Sequence, residues 1–164
     1  MKQLVLVRHA ESGWSGPFGK DIDRVLTSKG QTDAMQMAFR LKSENIIPER
    51  FITSNAKRAF ETAKIFAETL EIPIGDISIE KSLYEPVVQS FYKIIEGIPE
   101  RYERVALFSH NPGITGFLQD LNLIPHIQMP PCGVFAIRIN SSHWKDFRIS
   151  EKSFLLYAFP SDIN

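Results

Sequence analysis

Two histidines and two arginines stand where they could handle a phosphoryl group. Arg8 and His9 follow directly on the apolar run Leu4-Val5-Leu6-Val7, and His110 closely follows a second run, Val105-Ala106-Leu107-Phe108. Arg58 comes shortly after a third, Phe51-Ile52-Thr53-Ser54. A guanidinium presents a fork of N–H donors that matches phosphate oxygens, and a neutral imidazole nitrogen can attack phosphorus. The pair Arg8–His9 therefore suits phosphoryl transfer. Taken alone, Arg8-His9-Ala10-Glu11-Ser12 also reads as a strand end that happens to carry polar side chains.

The elements around these residues decide whether they can meet. Short apolar runs rich in valine and leucine read as buried parallel strands. Each of the three runs is followed by a polar turn and a helical pattern. Right-handed strand–helix–strand crossovers put the carboxyl ends of such strands on one sheet edge, where open α/β sheets bind ligands. Helix N-termini at that edge favour an anion.

Ala34, Met37, Ala38 and Leu41 form the apolar stripe of a helix expected over about 28–44, started by Thr27-Ser28. Ala59, Ala63, Phe66, Ala67 and Leu70 form another, capped by Ser54 or Asn55, with Lys57 and Arg58 in its first turn. Phe91, Ile94, Ile95 and Ile98 predict a helix over about 87–98, and Ile114, Phe117, Leu118 and Leu121 a fourth. Residues 77–79 alternate like a short strand or extended segment, 133–139 and 154–159 read as strands, and Trp144 reads as a packing anchor between the last two. Gly13 to Gly19, with three glycines and a proline, is a loop placed to line or cover the site. The pattern predicts an α/β fold with a mostly parallel sheet.

The 164 residues suggest a single domain spanning 1–164, with 43% hydrophobic and 23% charged residues, ordinary for a globular protein. Lysine plus arginine and aspartate plus glutamate both number 19, so no global basic field draws nucleic acid or an anionic membrane. A local cationic pocket is compatible with that balance. Cys132, the single cysteine, excludes an internal disulfide and reads as a packed or half-exposed thiol. The short apolar run behind Met1-Lys2-Gln3 is too brief for a signal peptide or membrane span, so the expected location is the cytoplasm. His126 and His143 lie far from these motifs, and no paired metal-ligand spacing is present.

Leu6-Val7-Arg8-His9-Ala10-Glu11 resembles the "RHG" signature of the histidine phosphatase superfamily, which includes the phosphoglycerate mutase-like enzymes, with Ala10 in place of the usual glycine. Arg58-Ala59-Phe60-Glu61-Thr62 is similar to the family's arginine-bearing helix start, and Ser109-His110-Asn111-Pro112-Gly113 to its second histidine motif. More narrowly, Asp21 to Gly30 resembles the "D..RPLT..G" segment of SixA-type phosphohistidine phosphatases, with Val25 where that pattern has proline. The resemblance runs over about residues 3–139. It implies a three-layer αβα fold with a mostly parallel mixed sheet flanked by helices.

It also implies roles. His9 would be the nucleophile that becomes a covalent phosphohistidine. Arg8, Arg58 and His110 would hold the phosphate oxygens and stabilise transition-state charge. No metal or cofactor would be needed. Arg24 and Ser12 would contact phosphate or substrate. Asn111 would offer its backbone N–H or side chain, or else cap a helix. Glu85, in Leu83-Tyr84-Glu85, matches the family's proton-donor step and would act as a protonated carboxyl in a partly dry pocket; it also reads as a plain turn residue beside Pro86.

The implied substrate is phosphohistidine in a protein. A small phosphate ester or anhydride would suit the same chemistry, and the pocket walls at 13–24 and 84–92 would discriminate. A silent phosphate- or phosphoprotein-binding module is disfavoured, because Arg8, His9, Arg58 and His110 are all present. Mutase activity is disfavoured by the lack of material for a lid.

Overall fold

The computed structural model describes residues 1–14 and 16–163; Ser15, inside the expected 13–19 loop, and Asn164 lie outside the described residues. Its sheet takes strands β1 (Lys2–Arg8), β2 (Arg50–Thr53), β3 (Ile77–Ile79), β4 (Arg104–Ser109), β5 (Val134–Ile139) and β6 (Lys152–Ala158). They lie in the order β3-β2-β4-β1-β5-β6. The first four strands run parallel, with β1 beside β4 and β4 beside β2. β5 runs antiparallel to both β1 and β6, which makes the sheet mixed, as expected.

The runs of β1 and β4 that read as buried strands are buried on both faces, whereas Ile52 of β2 is only partly buried. Val5 and Val7 point to one side with Phe51, Ala106 and Phe108. Leu4 and Leu6 point to the other with Val105, Leu107 and Phe135. This is the two-residue period of a pleated strand. The first side is covered by α1 (Ser28–Ser43) and α2 (Lys57–Leu70), through Met37, Leu41, Ala63 and Phe66. The second is covered by α3 (Val88–Glu96) and α4 (Gly113–Leu121), through Phe91, Ile95, Phe117 and Leu118. Three layers result, and polar alternation is absent from the central strands because neither face meets water. Among the described residues no helix is long and apolar enough to cross a membrane.

Local signals account for most element starts. Thr27 caps α1, its hydroxyl accepting the Gly30 N–H at 3.0 Å. α2 differs from expectation: its N-cap is Ala56, without a capping side chain. Ser54 accepts the Ala56 N–H at 3.3 Å but turns its hydroxyl mainly to His110.

Two glycines are set by close approach. A Cβ at Gly30 would lie 2.1 Å from the Glu11 carbonyl oxygen, and one at Gly113 would lie 2.3 Å from that of Pro86. Each lets the first turn of a helix, α1 or α4, press against a segment that borders the site. Trp144 is fully buried and donates its indole N–H to the Tyr102 carbonyl at 2.7 Å, the expected anchor. Lys2 was no candidate for the interior, yet it is fully buried. Its ammonium donates to the carbonyls of Glu100 and Tyr102 and to the Glu103 carboxylate.

Candidate active site

The carboxyl ends of β1, β2 and β4 open into a cavity of about 540 Å³. Arg8, His9, Arg24, Arg58 and His110 line it, together with Asp21, Tyr84, Glu85, Asn111 and Pro112. A larger hollow of about 770 Å³ lies between β3 and α3, with Ser78, Glu80 and Lys93 on its walls and no histidine or arginine. The chemistry belongs to the smaller one.

His9 is held at both ring nitrogens. Nδ1 lies 2.8 Å from the Ala10 carbonyl, and Nε2 lies 3.3 Å from Arg58 Nε. A carbonyl only accepts and a guanidinium only donates. Nδ1 therefore carries the proton, and Nε2 keeps its lone pair facing Arg58. Burial is the main force that pulls the His9 pKa down to about 4; the charges of Arg58, Arg8 and Arg24 add to it, and the Ala10 bond works the other way. The imidazole is neutral near neutral pH, as a nucleophile must be.

His110 stands beside it, the two ring centroids 5.0 Å apart. Its Nε2 shares a 2.6 Å hydrogen bond with Ser54 Oγ, and its buried Nδ1 has no partner among the described residues. Burial first, then His9 and Arg58, push its pKa down to about 3. Arg8 donates through Nη1 to the Met129 carbonyl at 3.0 Å, and its buried Nε has no partner among the described residues.

Arg58 is the pivot. Nε faces His9, Nη1 donates to the Asp21 carbonyl at 2.7 Å, and Nη2 donates to Asp21 Oδ2 at 3.0 Å. Asp21 also accepts from Arg24 Nη1 at 3.3 Å and from the Tyr84 hydroxyl at 2.6 Å. Those bonds, Tyr84's first, hold its pKa down near about 2. Neither Asp21 nor Tyr84 was singled out from the sequence. Both fall inside quoted motifs, which was the available signal.

The remaining candidates divide. Arg24 enters the cavity wall, with its guanidinium 4.5 Å over the Trp14 ring and donating to the carbonyls of Gly13 and Ser12. Ser12, expected to contact substrate, does not line the cavity. An isolated bridge to Leu26 fixes its backbone, its carbonyl serves Arg24, and its buried hydroxyl has no partner among the described residues.

Asn111 lines the cavity. Its amide donates to the Met129 carbonyl at 2.9 Å and its Oδ1 accepts from Thr115 at 2.7 Å, so its side chain is already committed. It does not cap α4, whose N-cap is Pro112.

Glu85 borders the cavity but stands exposed at its rim, in a left-handed backbone with φ 51°. The dry pocket expected around it is absent. Cys132 is fully buried, and burial pushes its thiol pKa up. Among the described residues, no three histidine, cysteine, aspartate or glutamate side chains cluster as a metal site.

Residues 4–86, just over half of the sequence, match the histidine phosphatase superfamily (branch 1), and the chain belongs to that family. It is 38% identical over 80 residues to phosphoglycerate mutase 1 of Saccharomyces cerevisiae, covering 46% of this chain and 32% of that protein. The chain thus spans about a third of the length of the curated relatives it matches.

Its fold is similar to that of the protein histidine phosphatase SixA complexed with tungstate (TM-score 0.80, 19% identity, 99% of both chains covered). It is also similar to a protein from Agrobacterium tumefaciens assigned as the phosphohistidine phosphatase SixA (TM-score 0.78, 21% identity, 96% of this chain and 97% of that one). At these identities the likeness establishes the fold.

Proposed function

We propose that the chain is a phosphohydrolase that works through a phosphorylated His9, without a metal, and removes phosphoryl groups from phosphohistidine in a protein. The observation that carries the first part is the ring of His9. It is neutral and buried, its Nε2 lone pair lies in a cavity with three guanidinium groups, and its proton is held away on Nδ1.

In this reading Nε2 attacks phosphorus while the bond to the leaving group breaks. The leaving atom keeps that electron pair and departs with a proton. Arg8, Arg58 and the free Nδ1 of His110 hold the phosphoryl oxygens. The guanidinium groups of Arg8, Arg24 and Arg58 supply the charge stabilisation that a metal gives in other phosphoryl-transfer sites. Water then attacks the phosphohistidine, the P–N pair returns to Nε2, and inorganic phosphate leaves. The sheet draws strands from Lys2 through Ala158, which supports reading residues 1–164 as one domain.

The choice of substrate rests on the want of an acid. Asp21 is ionised in the grip of Tyr84, Arg58 and Arg24, and Glu85 stands at the rim. An alkoxide leaving group needs a proton donor in the transition state. A phosphoramidate nitrogen, which can arrive protonated, needs one far less.

The test is phosphate release in chelator from a phosphohistidine protein and from an alkyl phosphate, glycerol 2-phosphate, whose leaving group is an alkoxide, with His9→Ala alongside. Turnover of the phosphohistidine substrate, little of the ester and none by the variant is the expected result. Ester turnover that collapses in Glu85→Gln would favour a small-molecule phosphatase. Equal activity of variant and wild type would overturn the nucleophile assignment.

A further inference from the structure

Building on that reading, we propose that Asp21 is a positioning residue: it aims Arg58 at the reacting nitrogen of His9, and does so at the expense of the site's affinity for free phosphate. Both terminal nitrogens of Arg58 are held by this one residue, Nη1 by its carbonyl at 2.7 Å and Nη2 by its carboxylate at 3.0 Å. That leaves Nε, 3.3 Å from His9 Nε2, as the edge presented to the nucleophile. With the carboxylate gone, only the carbonyl contact would resist rotation of the guanidinium.

The carboxylate is itself fixed, by the Tyr84 hydroxyl at 2.6 Å and Arg24 at 3.3 Å. It therefore ties the turn Asp21–Asp23, helix α2 and the 84–86 segment into one wall. Such alignment of a transition-state donor matters more for rate than for binding.

The same carboxylate works against binding. It places a negative charge among Arg8, Arg24 and Arg58, in a cavity otherwise suited to an anion. A site shaped only to hold phosphate would gain by losing it. Removing the charge and removing the alignment thus have opposite signs in affinity and in turnover.

The experiment compares wild type, Asp21→Asn and Tyr84→Phe. Binding of inorganic phosphate is measured by calorimetry. Turnover is measured on whichever substrate the wild type hydrolyses, and thermal unfolding reports integrity. For Asp21→Asn we expect phosphate to bind several-fold tighter while kcat falls ~10-fold or more. Tyr84→Phe keeps the charge and loses one tether. It should leave phosphate affinity within about twofold and lower kcat by a smaller factor, ~3-fold.

An Asp21→Asn protein with wild-type kcat overturns the proposal. So does one that melts normally but binds phosphate more weakly. Should Asp21→Asn not fold, an unchanged kcat in Tyr84→Phe overturns it instead. A wild type that binds phosphate yet hydrolyses nothing would refute the proposed function, a different result from any of these.

Discussion

The stability of this protein should depend on pH through the two histidines of its cavity. Both titrate near 6.5 when unfolded, and in the folded chain they are held at about 4 (His9) and about 3 (His110), chiefly by burial. Between those limits the unfolded chain binds protons that the folded chain refuses. Stability is therefore complete above about pH 6.5 and falls as the pH drops, by about 1.4 kcal/mol per unit for each histidine. The loss levels off only below the folded values. From about pH 7.5 down to about pH 5, linkage gives ~2 kcal/mol for each of the two.

Urea unfolding of wild type, His9→Asn and His110→Asn across that range tests this. Each variant should flatten the profile by ~2 kcal/mol, whatever its stability at the alkaline end. Asp21 does not blur the result, because its pKa of about 2 lies below the window. If the wild-type and variant profiles run parallel, the histidines are not held neutral by the fold, and the case for His9 as a ready nucleophile fails with them.

Three further perturbations bear on the same site. Arg58→Lys keeps the charge but loses the fork that reaches His9 and Asp21 together; steady-state kinetics should show kcat down ~10²-fold. Ser54→Ala removes the hydroxyl bonded to His110 at 2.6 Å and to the Ala56 N–H. A loss of ~1–3 kcal/mol by denaturant unfolding is expected, together with lower kcat. Gly30→Ala would set a methyl 2.1 Å from the Glu11 carbonyl, and calorimetry should show destabilisation of ~2 kcal/mol or more as α1 moves off the 11–12 segment.

Much of this site was legible because strand and helix periods carry direction. A continuous apolar run implies a strand covered on both sides, and the crossover rule then sends Arg8, His9 and His110 to one edge. Arg58 followed from its place at the start of α2. What escaped was set by contacts between distant segments.

Asp21 sits on a turn whose aim depends on where α2 and residue 84 end up, and no local pattern encodes that. Ser12 carried the right chemistry for a substrate contact, but its bridge to Leu26 made the backbone the useful part. Asn111 was claimed by Thr115 and Met129, partners visible only once α4 and the 129 loop are packed. Lys2 looked like a polar leader to β1. Three oxygens from residues 100–103 make its burial tolerable, and nothing near it in the chain announces them.

The place of β1 in the sheet has a consequence for timing. Its residues are made before those of both strands beside it, yet Leu4 pairs with Val105 on one side and with Ile137 on the other. During synthesis, His9 would emerge long before either neighbour exists. Such distant pairings are slow to form, because the chain between them must be ordered before contact rewards it. The apolar Leu4–Val7 run must wait in the open until the β4 and β5 segments arrive, and premature partners are a hazard in that interval. The reacting residue is thus written before both strands that flank β1 and is held in place only once they have joined it.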